Sequence, residues 1–110
     1  MKIEIITVKA SIRILTQSEG GRATGITSGY RPNHVFEPFN DIKQIRTYIG
    51  EIRFDDQEYI QPGETKIVTV RFLQNEVEKF LVVGQKWLIY EVPKLVAEGE
   101  ILDRIITNQF

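Results

Sequence analysis

Strict alternation of apolar and polar side chains over residues 6–14 constrains the fold of this chain more than any other feature. Ile6, Val8, Ala10, Ile12 and Ile14 are apolar, and every residue between them is polar. Because successive side chains of a strand point to opposite faces, this period of two predicts a β-strand with one buried face. We therefore expect the fold to begin with a half-buried strand.

Further extended segments follow the first one and are separated by turn-forming residues. They are rich in β-branched and aromatic side chains and span residues 26–36, 45–54, 66–73, 79–83 and 86–92. Pro62 and Gly63 suit the central positions of a type II turn, because proline presets φ and glycine accepts a positive φ. Residues 94–106 fit either a helical stripe or one face of a strand. About six strands with no clear helix elsewhere predict an all-β barrel or sandwich.

The length and charge of the chain fit one small domain. Its 110 residues, 42% of them hydrophobic, can bury one core but not two, so we predict a single domain over residues 1–110. Residues 1–36 hold five lysines and arginines and two glutamates, a balance of +3, so residues 37–110 carry −4 to give the total of −1. A nucleic-acid contact is therefore expected only in the basic first third.

Neither a secretory signal nor a membrane span is predicted. Glu4, Lys9 and Arg13 interrupt the apolar residues near the N-terminus, unlike the continuous apolar region of a signal peptide. No stretch reaches the roughly 18–20 apolar residues that cross a bilayer. Cysteine is absent, which permits a reducing compartment. We therefore expect a soluble, cytoplasmic protein with no membrane partner.

The side chains that most enzymes use are scarce in this sequence. There is no cysteine, His34 is the only histidine, and neither a nucleophile elbow nor a P-loop motif occurs. We therefore expect no enzymatic activity, metal, cofactor or bound nucleotide. Asp55, Asp56 and Glu58 suit a solvated loop better than a calcium site, because their spacing lacks the glycine and distal glutamate of a calcium loop. His34 is expected to be a packed or surface strand residue rather than an acid or base.

The segment GGRATGITSGYRP, at residues 20–32, combines glycines with arginines and hydroxyl side chains. Glycine permits close backbone approach to a ligand, while Arg22, Thr24 and Thr27 can donate hydrogen bonds to phosphate or ribose oxygens. The same glycines suit tight turns between strands. The residues alone leave two interpretations open, a phosphate-contacting loop and a structural turn.

The order of residues in this segment resembles that of a known family, the C-terminal β-barrel domain of elongation factor Tu. The shared motifs are Glu-Gly-Gly-Arg at residues 19–22, Thr-Gly at 24–25 and Gly-Tyr-Arg-Pro at 29–32. The similarity continues through Ile-Gln-Pro-Gly-Glu at 60–64 and Lys-Trp-Leu-Ile-Tyr-Glu at 86–91, and it spans residues 6–104. The resemblance implies a six-stranded antiparallel Greek-key barrel in which the tail is the last strand.

The resemblance also implies an RNA contact. In the family this loop touches the backbone of aminoacyl-tRNA, so the matching positions Arg22, Thr24 and Gly25 are candidate RNA-binding residues. The supporting candidates are Gly20, Gly21, Tyr30, Arg31 and Glu91. A second turn of the family that approaches tRNA, Arg-Glu-Gly-Gly, corresponds to Tyr-Glu-Val-Pro at residues 90–93, where only Glu91 is retained. The GTPase domain of the family has no counterpart in these residues, so GTP hydrolysis is not implied.

Two main functional hypotheses follow. The first is a stand-alone, translation-related module that binds tRNA or another structured RNA weakly, with an affinity that falls steeply as salt is raised. The second is a protein-interaction or regulatory module for translation factors or other proteins, which requires an exposed apolar patch around Phe39, Tyr59 or Trp87. A third hypothesis is an enzyme with perturbed carboxylates at Asp55 and Asp56.

Overall fold

The computed structural model describes residues 5–37, 46–73 and 75–105. Its strands are β1 (Ile6–Ile14), β2 (Ile26–Thr27), β3 (Asn33–Val35), β4 (Tyr48–Arg53), β5 (Tyr59–Ile60), β6 (Thr65–Phe72), β7 (Lys86–Glu91) and β8 (Lys94–Ile105). In the same ranges, short 3-10 helices span Gln17–Glu19 and Asn75–Phe80. Within these described ranges no helix is long and apolar enough to cross a membrane.

Six of the strands form a closed antiparallel barrel. The order around the barrel is β1-β6-β4-β3-β7-β8, and β8 pairs with β1 to close it. In this order β7 lies beside β3, β3 beside β4, and β4 beside β6. Of these four strands, the last in the chain, β7, therefore lies beside the first, β3. This is the Greek-key arrangement. The six-stranded antiparallel Greek-key barrel implied by the sequence is therefore confirmed.

Side chains at alternate strand positions fill the barrel. Val8, Ala10 and Ile12 of β1 are completely buried, as the period of two predicts. In β4, Ile52 is buried while the neighbouring Arg53 is exposed. Removing these aliphatic side chains from water stabilises the fold by roughly 25 cal/mol per Å² of apolar surface. The outward positions are left free for polar side chains, and they carry the charged clusters described below.

Aromatic rings pack together in part of the core. Phe36 stacks on Trp87 and on Phe80, with ring centroids 5.4 and 5.3 Å apart. His34 on β3 is completely buried, and its Nδ1 accepts a hydrogen bond from Trp87 Nε1 at 3.0 Å. The expectation that His34 is a strand residue is confirmed, and its place is in the core.

The remaining two strands, β2 and β5, pair with each other in a small separate sheet. The turn after β5 has the predicted form, since Gly63 has a φ of +90° and Glu64 N donates to Gln61 O at 3.0 Å. The extended segment predicted over 26–36 is divided between β2 and β3. Gly29, with a φ of +95°, and Pro32, which has no backbone donor, lie in the interruption.

The strand predicted over residues 79–83 is wrong. The 3-10 helix Asn75–Phe80 occupies the start of this segment, and residues 81–83 belong to no strand. Val77 and Leu81 are buried four positions apart, whereas Val82 and Val83 are exposed. Two adjacent exposed valines break the alternation that a half-buried strand requires, so this apolar run does not follow a period of two.

The tail, which fitted either a helix or a strand, is strand β8. Its residues 94–100 pair with β7 and its residues 97–105 pair with β1, so it is the element that closes the barrel. Gly99 lies so close to Trp87 that an added Cβ would be 2.7 Å from the indole ring. The strand interpretation implied by the family resemblance is confirmed.

Candidate nucleic-acid interface

A 3-10 turn redirects the chain immediately after β1. Thr16 Oγ1 accepts a hydrogen bond from Glu19 N at 3.2 Å, and Glu19 Oε1 accepts one from Thr16 N at 2.8 Å. Arg13 donates two hydrogen bonds to the same carboxylate, at 2.9 and 3.0 Å. The hydrogen bonding from Arg13, followed by that from Thr16, lowers the pKa of Glu19 to about 2. Gly20 ends the turn with a φ of +93°, which glycine adopts without steric cost. These contacts set the direction in which the loop leaves the barrel.

Two further glycines of the loop are required by close packing. A Cβ added at Gly21 would lie 2.6 Å from Leu15 O, and one added at Gly25 would lie 2.6 Å from Ile60 O. Both distances are far below van der Waals contact with backbone atoms, which cannot easily move aside. Gly20, Gly21 and Gly25 therefore have structural roles that hold whether or not RNA binds.

The guanidinium of Arg22 contacts Thr24, Gly25, Tyr30 and Glu91, and we refer to these five residues as the loop cluster. It forms an ion pair with Glu91 at the end of β7. Its Nε and Nη2 donate to Thr24 O and Oγ1 at 3.3 and 3.2 Å, and Nη2 also donates to Gly25 O at 3.4 Å. The ring of Tyr30 lies 5.3 Å below the guanidinium carbon. The structure thus brings together all three predicted RNA-binding residues with Tyr30 and Glu91.

Glu91 Oε2 accepts hydrogen bonds from both Arg22 and the Tyr30 hydroxyl. Burial alone would raise the pKa of Glu91, but these two hydrogen bonds outweigh burial and lower it below its ordinary value. Burial, followed by the hydrogen bond to Glu91, raises the pKa of Tyr30. At neutral pH the cluster therefore contains a charged carboxylate, a charged guanidinium and a neutral phenol.

The Arg22–Glu91 ion pair limits what this site can offer to RNA. The two side chains are 26% and 37% exposed, so solvent reaches both of them. A phosphate that approaches Arg22 competes with the carboxylate for the same donors. Glu91 therefore places a negative charge at this site, and that charge opposes the binding of an anionic ligand.

Arg31 lies in a different cluster from Arg22. Its Nε and Nη2 donate to Glu51 Oε2 at 3.1 and 3.0 Å. Arg53 donates to the other carboxylate oxygen of Glu51 at 3.1 Å, and Arg71 Nη1 lies 3.7 Å from it. The sequence pattern does not reveal this arginine cluster, because Arg71 is distant from the other members in the chain. Only the strand pairing of Glu51 with Arg71 brings them together.

Two acidic side chains of the loop, those of Asp55 and Glu58, have partners. Asp55 and Asp56 are exposed, and Asp55 Oδ1 accepts from Gln57 N at 2.8 Å. Glu58 forms an ion pair with Lys66. Across the part of the chain that the structure describes, no three potential metal ligands lie together. These exposed side chains agree with the expected solvated loop.

Of the three side chains expected in an exposed apolar patch, the structure describes two, and only one of these is exposed. Trp87 is 2% exposed because it occupies an inward position of β7, so its prediction as a surface residue is wrong. Tyr59 is 62% exposed, as predicted, and Phe39 lies outside the described residues. Val82 and Val83 are also exposed, although the apolar run that contains them predicts a strand with one buried face.

The fold and the outward charges define a class of protein, namely a small closed β-barrel domain with polar clusters on its exterior. A family model described as elongation factor Tu C-terminal domain matches residues 3–105. The chain therefore belongs to the elongation factor Tu C-terminal domain family. The match extends over nearly all of the sequence and includes both the Arg22 loop and strand β8.

Proposed function

We propose that this chain is a non-catalytic, translation-related binding module that contacts the backbone of structured RNA, such as tRNA, weakly through the Arg22 loop. Its family supports a translation-factor-like domain. The observation that carries the RNA proposal is the convergence of Arg22, Thr24 and Gly25 at one solvent-accessible site. A role in translation would place the protein in the cytoplasm.

Two physical reasons make the proposed affinity weak. The carboxylate of Glu91 occupies donors of Arg22 that a phosphate would otherwise use. Binding through this barrel by itself also lacks the gain in effective concentration that linked binding modules provide. RNA binding should therefore be clearest at low ionic strength, where phosphate contacts are strongest.

The direct test is a fluorescence-anisotropy titration of bulk tRNA with the purified protein between about 20 and 200 mM salt. Wild-type protein should bind at low salt and lose affinity as salt is raised. Arg22→Ala should weaken binding, while Lys86→Ala, which removes a cation from the opposite end of β7, should leave it within about twofold. Equal affinities of wild-type and Arg22→Ala proteins would contradict a contact at the loop.

Removing the negative charge of Glu91 should change the affinity for tRNA in the opposite direction. Glu91→Gln keeps the size of the side chain and an oxygen that accepts from Tyr30 and Arg22, but it removes the negative charge. We expect tRNA to bind this variant several-fold more tightly than wild type, because Arg22 is then not neutralised. Unchanged or weaker binding, with thermal stability retained, would show that Arg22 does not contact phosphate.

A protein-interaction module is the second candidate. It is favoured by the exposed side chains of Tyr59, Val82 and Val83. Translation factors are the partners that family membership suggests. Absence of tRNA binding even at the lowest salt would overturn the RNA proposal and favour this candidate. A tryptophan-fluorescence or calorimetric titration with purified translation factors would then test it.

A further inference from the structure

The outer face of β4 and β6 carries a cluster of cations that share one carboxylate. Glu51 accepts hydrogen bonds from Arg31 and Arg53, and Arg71 of β6 is its direct cross-strand neighbour. We refer to Glu51, Arg31, Arg53 and Arg71 as the arginine cluster. Three positive charges face one negative charge, so the cluster has an excess of two positive charges.

Burial differs sharply within the arginine cluster. The side chain of Glu51 is only 14% exposed, whereas those of Arg31, Arg53 and Arg71 are 70%, 47% and 39% exposed. The hydrogen bond from Arg31, supported by that from Arg53, holds the pKa of Glu51 below its ordinary value although burial opposes this. The carboxylate therefore lies beneath the guanidinium groups and is charged at neutral pH. Solvent meets mainly the arginines.

The cationic surface extends from the arginine cluster onto β1. Thr69 of β6 pairs with Arg53 on one side and with the exposed Lys9 of β1 on the other. Asp103 of β8 is the cross-strand neighbour of Lys9, and the two side chains form no ion pair. With Lys9 and Asp103 included, the excess is still two positive charges. The strand residues among these charges lie on the four neighbouring strands β4, β6, β1 and β8, which are about 5 Å apart.

We propose that the outer face of β4 and β6 binds the phosphate backbone of double-stranded RNA, with Arg53 and Arg71 as the principal contacts. The inference rests on the proposed RNA-binding function and names its main surface. Guanidinium groups suit phosphate because they donate two parallel hydrogen bonds. Charges spread along a convex barrel face suit an extended backbone rather than one small anion.

The chain connects this surface to the Arg22 loop. Tyr30 contacts Glu91 in the loop cluster, and the next residue, Arg31, contacts Glu51 in the arginine cluster. The two clusters are therefore linked through consecutive residues, and we expect one duplex to reach both. Arg22 is largely neutralised by Glu91, whereas the arginine cluster keeps excess charge. The arginine cluster should thus supply most of the electrostatic affinity, and the Arg22 loop a smaller part.

The test measures binding of a fluorescein-labelled RNA hairpin with a double-stranded stem by the full chain at several salt concentrations. One variant carries Arg53→Gln and Arg71→Gln. The matched control carries Lys79→Gln and Lys86→Gln, which also removes two charges but on the second 3-10 helix and on β7, the strand opposite β6 in the barrel. Circular dichroism and a thermal melt check that each variant is folded.

We expect the arginine variant to lose about tenfold in affinity at low salt and to lower the slope of log K against log salt by about two, while the control changes little. Glu51→Gln should bind more tightly than wild type, because it removes the only carboxylate of the cluster. If the arginine variant unfolds, RNA affinities of Glu51→Gln and of the single variant Arg53→Gln are compared with that of wild type. We expect tighter binding by the first variant and weaker binding by the second, and the reverse result would overturn the proposal.

The two proposals fail in different ways. Equal losses in the arginine variant and in the control would overturn the arginine surface and indicate a non-specific charge effect. Loss of binding on Arg22→Ala with none in the arginine variant would overturn this surface but leave the proposed function intact. Absence of RNA binding by wild-type protein at the lowest salt would overturn both.

Discussion

The buried histidine shows how one residue acquires its properties from its contacts. Trp87 Nε1 donates to Nδ1 of His34 at 3.0 Å, so the ring proton must be on Nε2, which donates to Gly50 O at 3.0 Å. Burial lowers the pKa of His34 to about 4, although the hydrogen bond to Gly50 opposes this. His34 is therefore a neutral, fully bonded core residue that links β3, β4 and β7.

This depressed pKa predicts a loss of stability in mild acid. The imidazole titrates near 6.5 in the unfolded chain and near 4 in the folded protein, so between these values the unfolded state binds more protons. Stability should therefore fall as pH is lowered through this window, by about 2 kcal/mol between pH 7 and 5. Urea denaturation at the two pH values measures the loss.

The control for the histidine prediction is His34→Gln. Glutamine retains one donor and one acceptor but does not titrate, and His34 is the only histidine in the chain. The variant should therefore lose much less stability than wild type over the same window. An equal loss in both proteins would assign the pH dependence to other groups.

At the scale of elements, the β7–β8 pair depends on close packing between a glycine and a tryptophan. Gly99 is the direct cross-strand partner of Trp87, and an added Cβ would lie 2.7 Å from the indole. The ring cannot withdraw freely, because it stacks on Phe36 and its Nε1 is bonded to His34. The last strand thus approaches the core only because it has no side chain at this position.

Gly99→Ala should destabilise the fold by about 1–3 kcal/mol, the usual cost of overpacking a core. In a Trp87→Phe background the same substitution should cost much less, because phenylalanine lacks the part of the indole that the new Cβ would meet. A double-mutant cycle of unfolding free energies measures this coupling. Additive effects would show that the indole is not the obstacle.

At the scale of the whole molecule, the first and last strands complete a single core. β1 pairs with β6 on one side and β8 on the other, so neither half of the chain can form the closed barrel alone. Among the described residues, the central core cluster includes members of five barrel strands, for example Val8, Phe72, Trp87 and Ile101, and Phe36 directly after the sixth strand, β3. Unfolding should therefore be cooperative.

This cooperativity is measurable because the chain has one tryptophan. Fluorescence of Trp87 reports packing of the core, and far-ultraviolet circular dichroism reports the strands. The two urea transitions should coincide, as expected for a two-state domain of this size. Separation of the transitions would reveal a partly folded state in which β7 leaves the core before the barrel opens.

Much of the architecture follows from local sequence pattern. The alternation in β1 and β4, the turn at Pro62–Gly63 and the residue order of the Arg22 loop each specify a local conformation without any knowledge of the remote chain. Residues 79–83 show the limit of this approach. Their apolar content was compatible with a strand, but a 3-10 helix extends to Phe80, and the adjacent Val82 and Val83 are both exposed.

By itself, the sequence determined the strand pattern, the family and the residues of the Arg22 loop, because these depend on neighbours along the chain. Only the tertiary structure decided that Glu91 neutralises Arg22, that Trp87 is buried, and that Arg71 joins Arg53 around Glu51. The physical reason is strand register. Charges far apart in the chain become neighbours only when the barrel closes, and their pairing then determines which cations remain available to a ligand.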